Sequence, residues 1–196
     1  MSGRDRLLRL LSDLEENNVE GTPFISERGV LDKFNEGLLD EVLDELYHHA
    51  PPESGLARKS YHQRIFKNCR LCLAILIKIG RSEFIFRFCE SPRFGDDKLP
   101  ISKDILLDIA DLDRSEKQIF ATVFYRNQFM FKPVTFDKTM GGVYTVLPPE
   151  IVVPIIRKKA LKDGEGGWSI VYEIEIHSDY DKLGHSPQDG EISVSL

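Results

Sequence analysis

Apolar positions recur at intervals of three and four through most of the first 131 residues, which predicts a succession of amphipathic helices. Leu7, Leu8, Leu10, Leu11 and Leu14 form a stripe that predicts a helix over Arg4–Asn17, ended by Asn17-Asn18 and Gly21-Thr22-Pro23. Ser26 is placed to cap a second helix running to Phe34, with Gly37 as its stop. A third, Leu38–Tyr47, carries Leu39, Val42, Leu43 and Leu46 on one side. Its other side holds Asp40, Glu41, Asp44 and Glu45, a face expected to be solvated. Beyond the break at Pro51-Pro52-Glu53-Ser54-Gly55, the spacing of Tyr61, Ile65, Cys69, Cys72, Leu76 and Ile79 predicts one long central helix over Leu56–Ile79. From Leu71 onward it is apolar all round, as a helix buried on several sides should be. A short amphipathic piece at Ser82–Cys89 precedes a loop at Ser91–Pro100 and a helix at Lys103–Ile109. A capping box at Ser115-x-x-Gln118 then opens an aromatic helix over Ile119–Phe131.

The periodicity changes after that point. Pro133, Gly141-Gly142 and Pro148-Pro149 punctuate a linker at 132–151. Val152–Leu161 and Ser169–His177 then read as strands, the second alternating Ile170, Tyr172, Ile174 and Ile176 against Val171, Glu173, Glu175 and His177. The predicted fold class is mainly α: a multi-helix unit over 1–131, the linker, and a small β-hairpin within 152–196.

Composition narrows the function classes. A net charge of -6 argues against a nucleic-acid interface, which would carry a basic stripe. The longest strongly apolar run, Leu71–Ile77, falls far short of the ~20 residues of a membrane span. Met1–Arg9 is charged and does not read as a secretory leader. The odd cysteine count, 3, predicts reduced thiols and an intracellular, cytoplasmic setting. Cys69-x-x-Cys72 has no second pair and no histidine at ligand spacing, so both are expected to be core thiols rather than metal or redox ligands. No His/Asp cluster has ligand spacing for a metal-dependent hydrolase, and the histidines receive no role. The helical region is a candidate surface for a protein partner.

Chemistry concentrates in Arg157–His177, where Gly164-Glu165-Gly166-Gly167 separates the two strands. Clustered glycines let the backbone take positive φ and present amides unobstructed, as an anionic phosphate requires. The P-loop of NTPases is excluded, since no Gly-Lys-Ser/Thr follows. Gly164-x-Gly166-x-x-Ser169-x-Val171, with Tyr172 next and Trp168 at the aromatic loop-tip position, resembles the glycine-rich loop G-x-G-x-x-G-x-V that opens a protein kinase domain. Ser169 departs from the third glycine; where positive φ is needed, its Cβ costs about 1–2 kcal/mol. Arg4–Ser26 and Ala74–Phe88 are also similar to the helical region before the kinase domain in a group of large fungal kinase-like proteins. The resemblance implies that 152–196 is the start of a kinase small lobe, with Gly164, Gly166, Gly167, Ser169 and Val171 facing ATP.

It implies Mg-ATP as the cofactor of a complete parent that phosphorylates protein Ser/Thr, with no tight binding by this chain. The small-lobe lysine, the H-R-D loop and the D-F-G of that family are absent from the sequence, so no catalytic residue is assigned. Glu191–Leu196 reads as the beginning of a third strand cut before its lysine. The alternative expectation is a non-catalytic helical interaction module.

Overall fold

Leu71 to Ile77 is the most continuously apolar stretch of the chain, and burial of such a stretch on every side is what sets a core. In the computed structural model, which describes residues 1–49, 57–109, 112–138, 147–160 and 172–184, all seven of these side chains are buried. They belong to α5, Arg70–Lys78, which contacts α1 (Gly3–Asp13), α2 (Glu27–Lys33), α4 (Arg58–Asn68), α6 (Ile85–Glu90) and α8 (Arg114–Phe131). With α3 (Glu36–His49) and α7 (Lys103–Leu107) these make eight α-helices among the described residues, a mainly-α fold. Burying each large side chain contributes about 1.5–3 kcal/mol.

The single long helix predicted over 56–79 is in fact two. Cys69 leaves helical geometry at φ −140°, ψ 24°, ending α4 and opening α5. Periodicity cannot show this break, because the stripe continues in phase across it. What holds it is Asp96 from a distant 3-10 turn, Asp96–Lys98, whose Oδ1 accepts the Cys72 amide at 2.9 Å.

The acidic side of α3 is solvated at Asp40 and Asp44, as expected, and through Glu41 and Glu45 it also receives α1. Glu45 accepts hydrogen bonds from the Gly3 and Arg4 amides at the start of α1, where a negative charge complements the helix dipole. Arg6 pairs with Glu41, and Arg58 with Asp44 and Asp40. Gly3 lies so close to α3 that a Cβ would stand 2.7 Å from the Glu41 carbonyl carbon and the Val42 nitrogen. A glycine at this crossing is therefore required by the approach of two backbones.

Other boundaries shift for local reasons. α1 stops at Asp13 because β1 (Glu15–Asn17) pairs with β2 (Pro23–Ile25). Ser26 caps α2 through the Gly29 amide at 2.9 Å, as its position predicted. Gly37 stops nothing: it sits in the first turn of α3, which Asn35 Oδ1 caps through the Leu38 amide at 3.0 Å. α8 opens at Arg114, with Asp113 rather than Ser115 accepting the Glu116 amide at 2.8 Å. Along α8, Gln128 is fully buried and its side-chain amide clasps the Ile101 backbone, accepting its N–H at 2.7 Å and donating to its C=O at 2.9 Å.

The chain divides into two units, Met1–Glu15 with Ile25–Lys132, and Glu16–Phe24 with Pro133–Leu196. In the second, β4 (Ile155–Ala160) pairs antiparallel with β5 (Tyr172–Ile176), and β3 (Phe136–Asp137) pairs parallel with β6 (Asp181–Lys182). An early segment joins these late strands through Asn18. Its Oδ1 accepts the Glu20 and Thr22 amides and its Nδ2 donates to Val153 O at 3.1 Å, while Val19 N donates to Ile155 O at 2.8 Å. The Phe24 ring meets His177 and Tyr180 edge-on at 5.5 and 6.1 Å.

Two outcomes follow from these contacts. Gly3→Ala should lower the stability of the helical unit by about 1–3 kcal/mol through overpacking, read as a lowered midpoint in urea. An unchanged midpoint would show that α1 and α3 separate at no cost. Asn18→Ala should leave the helical unit unchanged while speeding amide exchange in β4 by about tenfold or more, since it removes the side-chain tie from the turn at 18–22 to the Val153 carbonyl.

Candidate functional site

The two strands that flank the glycine run pair in the described part of the chain, with Ala160 opposite Tyr172, Lys159 opposite Glu173, Lys158 opposite Ile174 and Arg157 opposite Glu175. A register irregularity between Ile155 and Arg157 leaves Ile156 unpaired and exposed. Gly164, Gly166, Gly167, Ser169 and Val171, which the resemblance assigns to nucleotide, lie outside the described residues, as do Lys162 and Trp168.

The alternation read in the second strand has its counterpart in exposure: Tyr172, Ile174 and Ile176 are half-buried, Glu173 and Glu175 exposed. The pleat carries the charges onto one side of the ladder. Arg157 pairs with Glu175 at 3.8 Å and Lys159 with Glu173 at 3.7 Å, both solvent-exposed. Cross-strand pairs of this kind contribute about 0.2–1 kcal/mol each and hold register more than they add stability. Lys158 takes the other side, with Nζ 4.1 Å from the centre of the Tyr172 ring. The basic cluster of the first strand is thus engaged with its own hairpin.

A second cluster lies in the helical unit, at the break between α4 and α5. Asp96 is mostly buried there, and burial pushes its carboxyl above the ordinary value. The amides of Cys72, Leu71 and Arg70 and the Cys72 thiol pull in the opposite direction without cancelling that effect. This is an N-cap supplied from another segment, serving donors at the start of a buried helix. Cys72 is fully buried; burial first, then the Asp96 charge, raises its thiol well above the usual range. Cys69 is raised too, first by a hydrogen bond shared with the Cys89 thiol and then by burial. The thiol beside Cys69 is therefore that of Cys89, 20 positions on in the sequence, and all three cysteines are free. Spacing pointed only to Cys69-x-x-Cys72, because a contact made through folding leaves no mark on sequence interval.

His177, to which spacing gave no role, lies in the second unit with Nε2 3.3 Å from Glu16 Oε1 and Nδ1 accepting the Asp179 amide at 3.3 Å. Glu16 and His177 are far apart in sequence, so no local pattern could have joined them. An open depression lined by Ser2, Arg4, Asp5, Leu8 and Glu45 sits at the start of α1, where Ser2 and Glu45 already occupy the first amides. Among the described residues, no group of three or more His, Cys, Asp or Glu could hold a metal ion. Nor is any helix there long and apolar enough to cross a membrane. No family model, curated protein or solved structure matches the chain.

The Asp96 geometry sets a pH dependence. The folded carboxyl titrates above its ordinary 3.8, so the folded state prefers it protonated. That contribution to stability is full below the unfolded value and is lost as pH rises through the folded one. Asp96→Asn cannot ionise. Urea unfolding between about pH 3 and pH 7 should show wild type losing ground relative to the variant as pH rises. A difference independent of pH would contradict this account of Asp96.

Proposed function

We propose that β4, the glycine run and β5 are the opening of a protein-kinase-type small lobe, and that the helical unit is the region preceding it in a fungal kinase-like protein. The observation that carries this reading is the antiparallel pairing of Ile155–Ala160 with Tyr172–Ile176, which makes 161–171 the connection bearing Gly164-x-Gly166-x-x-Ser169-x-Val171. A strand, a glycine-rich turn and an antiparallel return strand are the parts that cover ATP phosphates in that family. Gly164, Gly166 and Gly167 would offer amides to phosphate, while Ser169 and Val171 would border the nucleotide.

Phosphoryl transfer also needs a lysine on the phosphates, a base for the hydroxyl and carboxylates for magnesium. The sequence has no H-R-D and no D-F-G, and Lys158 and Lys159 face their own hairpin. The chain itself is therefore a weak nucleotide-contacting element rather than a catalyst, and catalysis belongs to a complete parent with Mg-ATP. The free cysteines support an intracellular, cytoplasmic setting. A protein partner for the helical unit is the second reading, favoured by Ile119 and Val123, which are exposed one turn apart on α8.

Titration of the labelled chain with Mg-ATP tests the first reading. The Gly164, Gly166 and Gly167 amide resonances should shift, while the melting temperature at millimolar nucleotide stays unchanged within error. At a ligand concentration equal to Kd the stabilisation is only about 0.4 kcal/mol. Silent glycine amides at saturating nucleotide, or shifts confined to the helices, would overturn the assignment.

A further inference from the structure

We propose that a second copy of this chain docks on the exposed face of α8, with the two α8 helices antiparallel across a twofold axis. This rests on and deepens the partner reading of the helical unit by naming the occupant, and it does not depend on the nucleotide reading. Ile119 and Val123 each stand one position before a core phenylalanine, Phe120 or Phe124, so they turn about 100° away from the buried side. Ile119 is 63% and Val123 37% exposed, and among the described residues they are the two exposed large hydrophobics that share a helix face one turn apart. Both are β-branched, which lowers helix propensity, so the helix itself gains nothing from holding them in solvent.

The stripe continues along the helix. Glu116, Ile119, Val123, Arg126 and Met130 follow one another at intervals of three and four, the spacing of a seam between two helices. Glu116 and Arg126 are exposed and Met130 is half-buried. Among the described residues, neither Glu116 nor Arg126 is engaged in an ion pair.

The charges are arranged antisymmetrically about the centre of this face. Glu116 lies three positions before Ile119, and Arg126 three positions after Val123. An antiparallel copy therefore sets Ile119 against Val123 of the second copy and Glu116 against its Arg126, each contact being made twice. A parallel copy would set glutamate against glutamate and arginine against arginine, which repel. A uniformly acidic or uniformly basic partner would satisfy one charge and oppose the other. An antiparallel copy of the same face meets the apolar pair and both charges at once. One face of an 18-residue helix is smaller than an obligate dimer interface, so the association is weak and reversible, with a Kd on the order of 100 µM.

Sedimentation equilibrium of the full chain from about 10 µM to about 1 mM tests this, since that range brackets the expected Kd. The average mass should rise from monomer towards dimer. Ile119→Ser should weaken the dimer about tenfold or more, because two such side chains leave the interface, while the circular dichroism of the helices stays unchanged. Arg126→Glu or Glu116→Arg alone should weaken it about three- to tenfold, and the variant carrying both should regain wild-type affinity, since the swap restores both opposite-charge pairs. In a mixture of isotope-labelled and unlabelled wild-type chains, nuclear Overhauser contacts should join Ile119 methyls to Val123 methyls of the other copy, a readout that needs no variant. A monomer throughout, a dimer indifferent to Ile119→Ser, or charge reversals that do not rescue one another would each overturn self-pairing. Contacts from Ile119 to another segment of the same chain would overturn the partner reading of α8 as well, so the two failures are told apart.

Discussion

A helix buried on every side has no water for its first amides, and α5 is such a helix. Leu71 through Ile77 are all enclosed by neighbouring helices, so the donors at its start must be met from within the protein. Asp96 meets them, at the cost of burying a carboxylate. The position of the 3-10 turn bearing Asp96, the break at Cys69 and the surroundings of the Cys72 thiol are tied to that one cap. Rings of Phe88, Phe94 and Phe124, at 4.4 and 5.2 Å centre to centre, pack where the chain returns from this turn towards α8.

The same logic recurs on a smaller scale wherever an acceptor is borrowed from a distant segment. Glu45 serves the start of α1, and Gln128 clasps the backbone at Ile101. In the second unit Asn18 ties a tight turn to Val153. A buried polar group with a fixed partner specifies one arrangement, because every alternative leaves a donor or acceptor unmet. The hairpin of β4 and β5 has less of this. Its side chains are exposed or half-buried and its pairs are surface pairs, as befits a strand pair that does not stand alone.

Functional legibility is uneven for a physical reason. A glycine run is visible in a sequence because it occupies consecutive positions, and phosphate contact through backbone amides is a chemistry that a short motif can encode. The Cys69–Cys89 contact and the Glu16–His177 pair are not recognisable, since each joins residues brought together only by packing. Cys69-x-x-Cys72 shows the converse: a motif that looks chemical by spacing, in which one member is held by Asp96 and the other faces Cys89.

The sequence by itself determined which segments are helical, through the three-four spacing of apolar residues, and the pairing propensity of the two late strands, through alternation and intervening glycines. It also set the cap at Ser26, because that hydroxyl reaches an amide three residues away. Tertiary structure alone decided that the stripe over 56–79 is broken at Cys69, and that the acidic side of α3 receives α1 and Arg58. It likewise decided that residues 16–24 belong with strands more than a hundred positions later. Local spacing fixes what each segment can become, whereas unmet buried donors are settled by whichever distant acceptor the packing brings within reach.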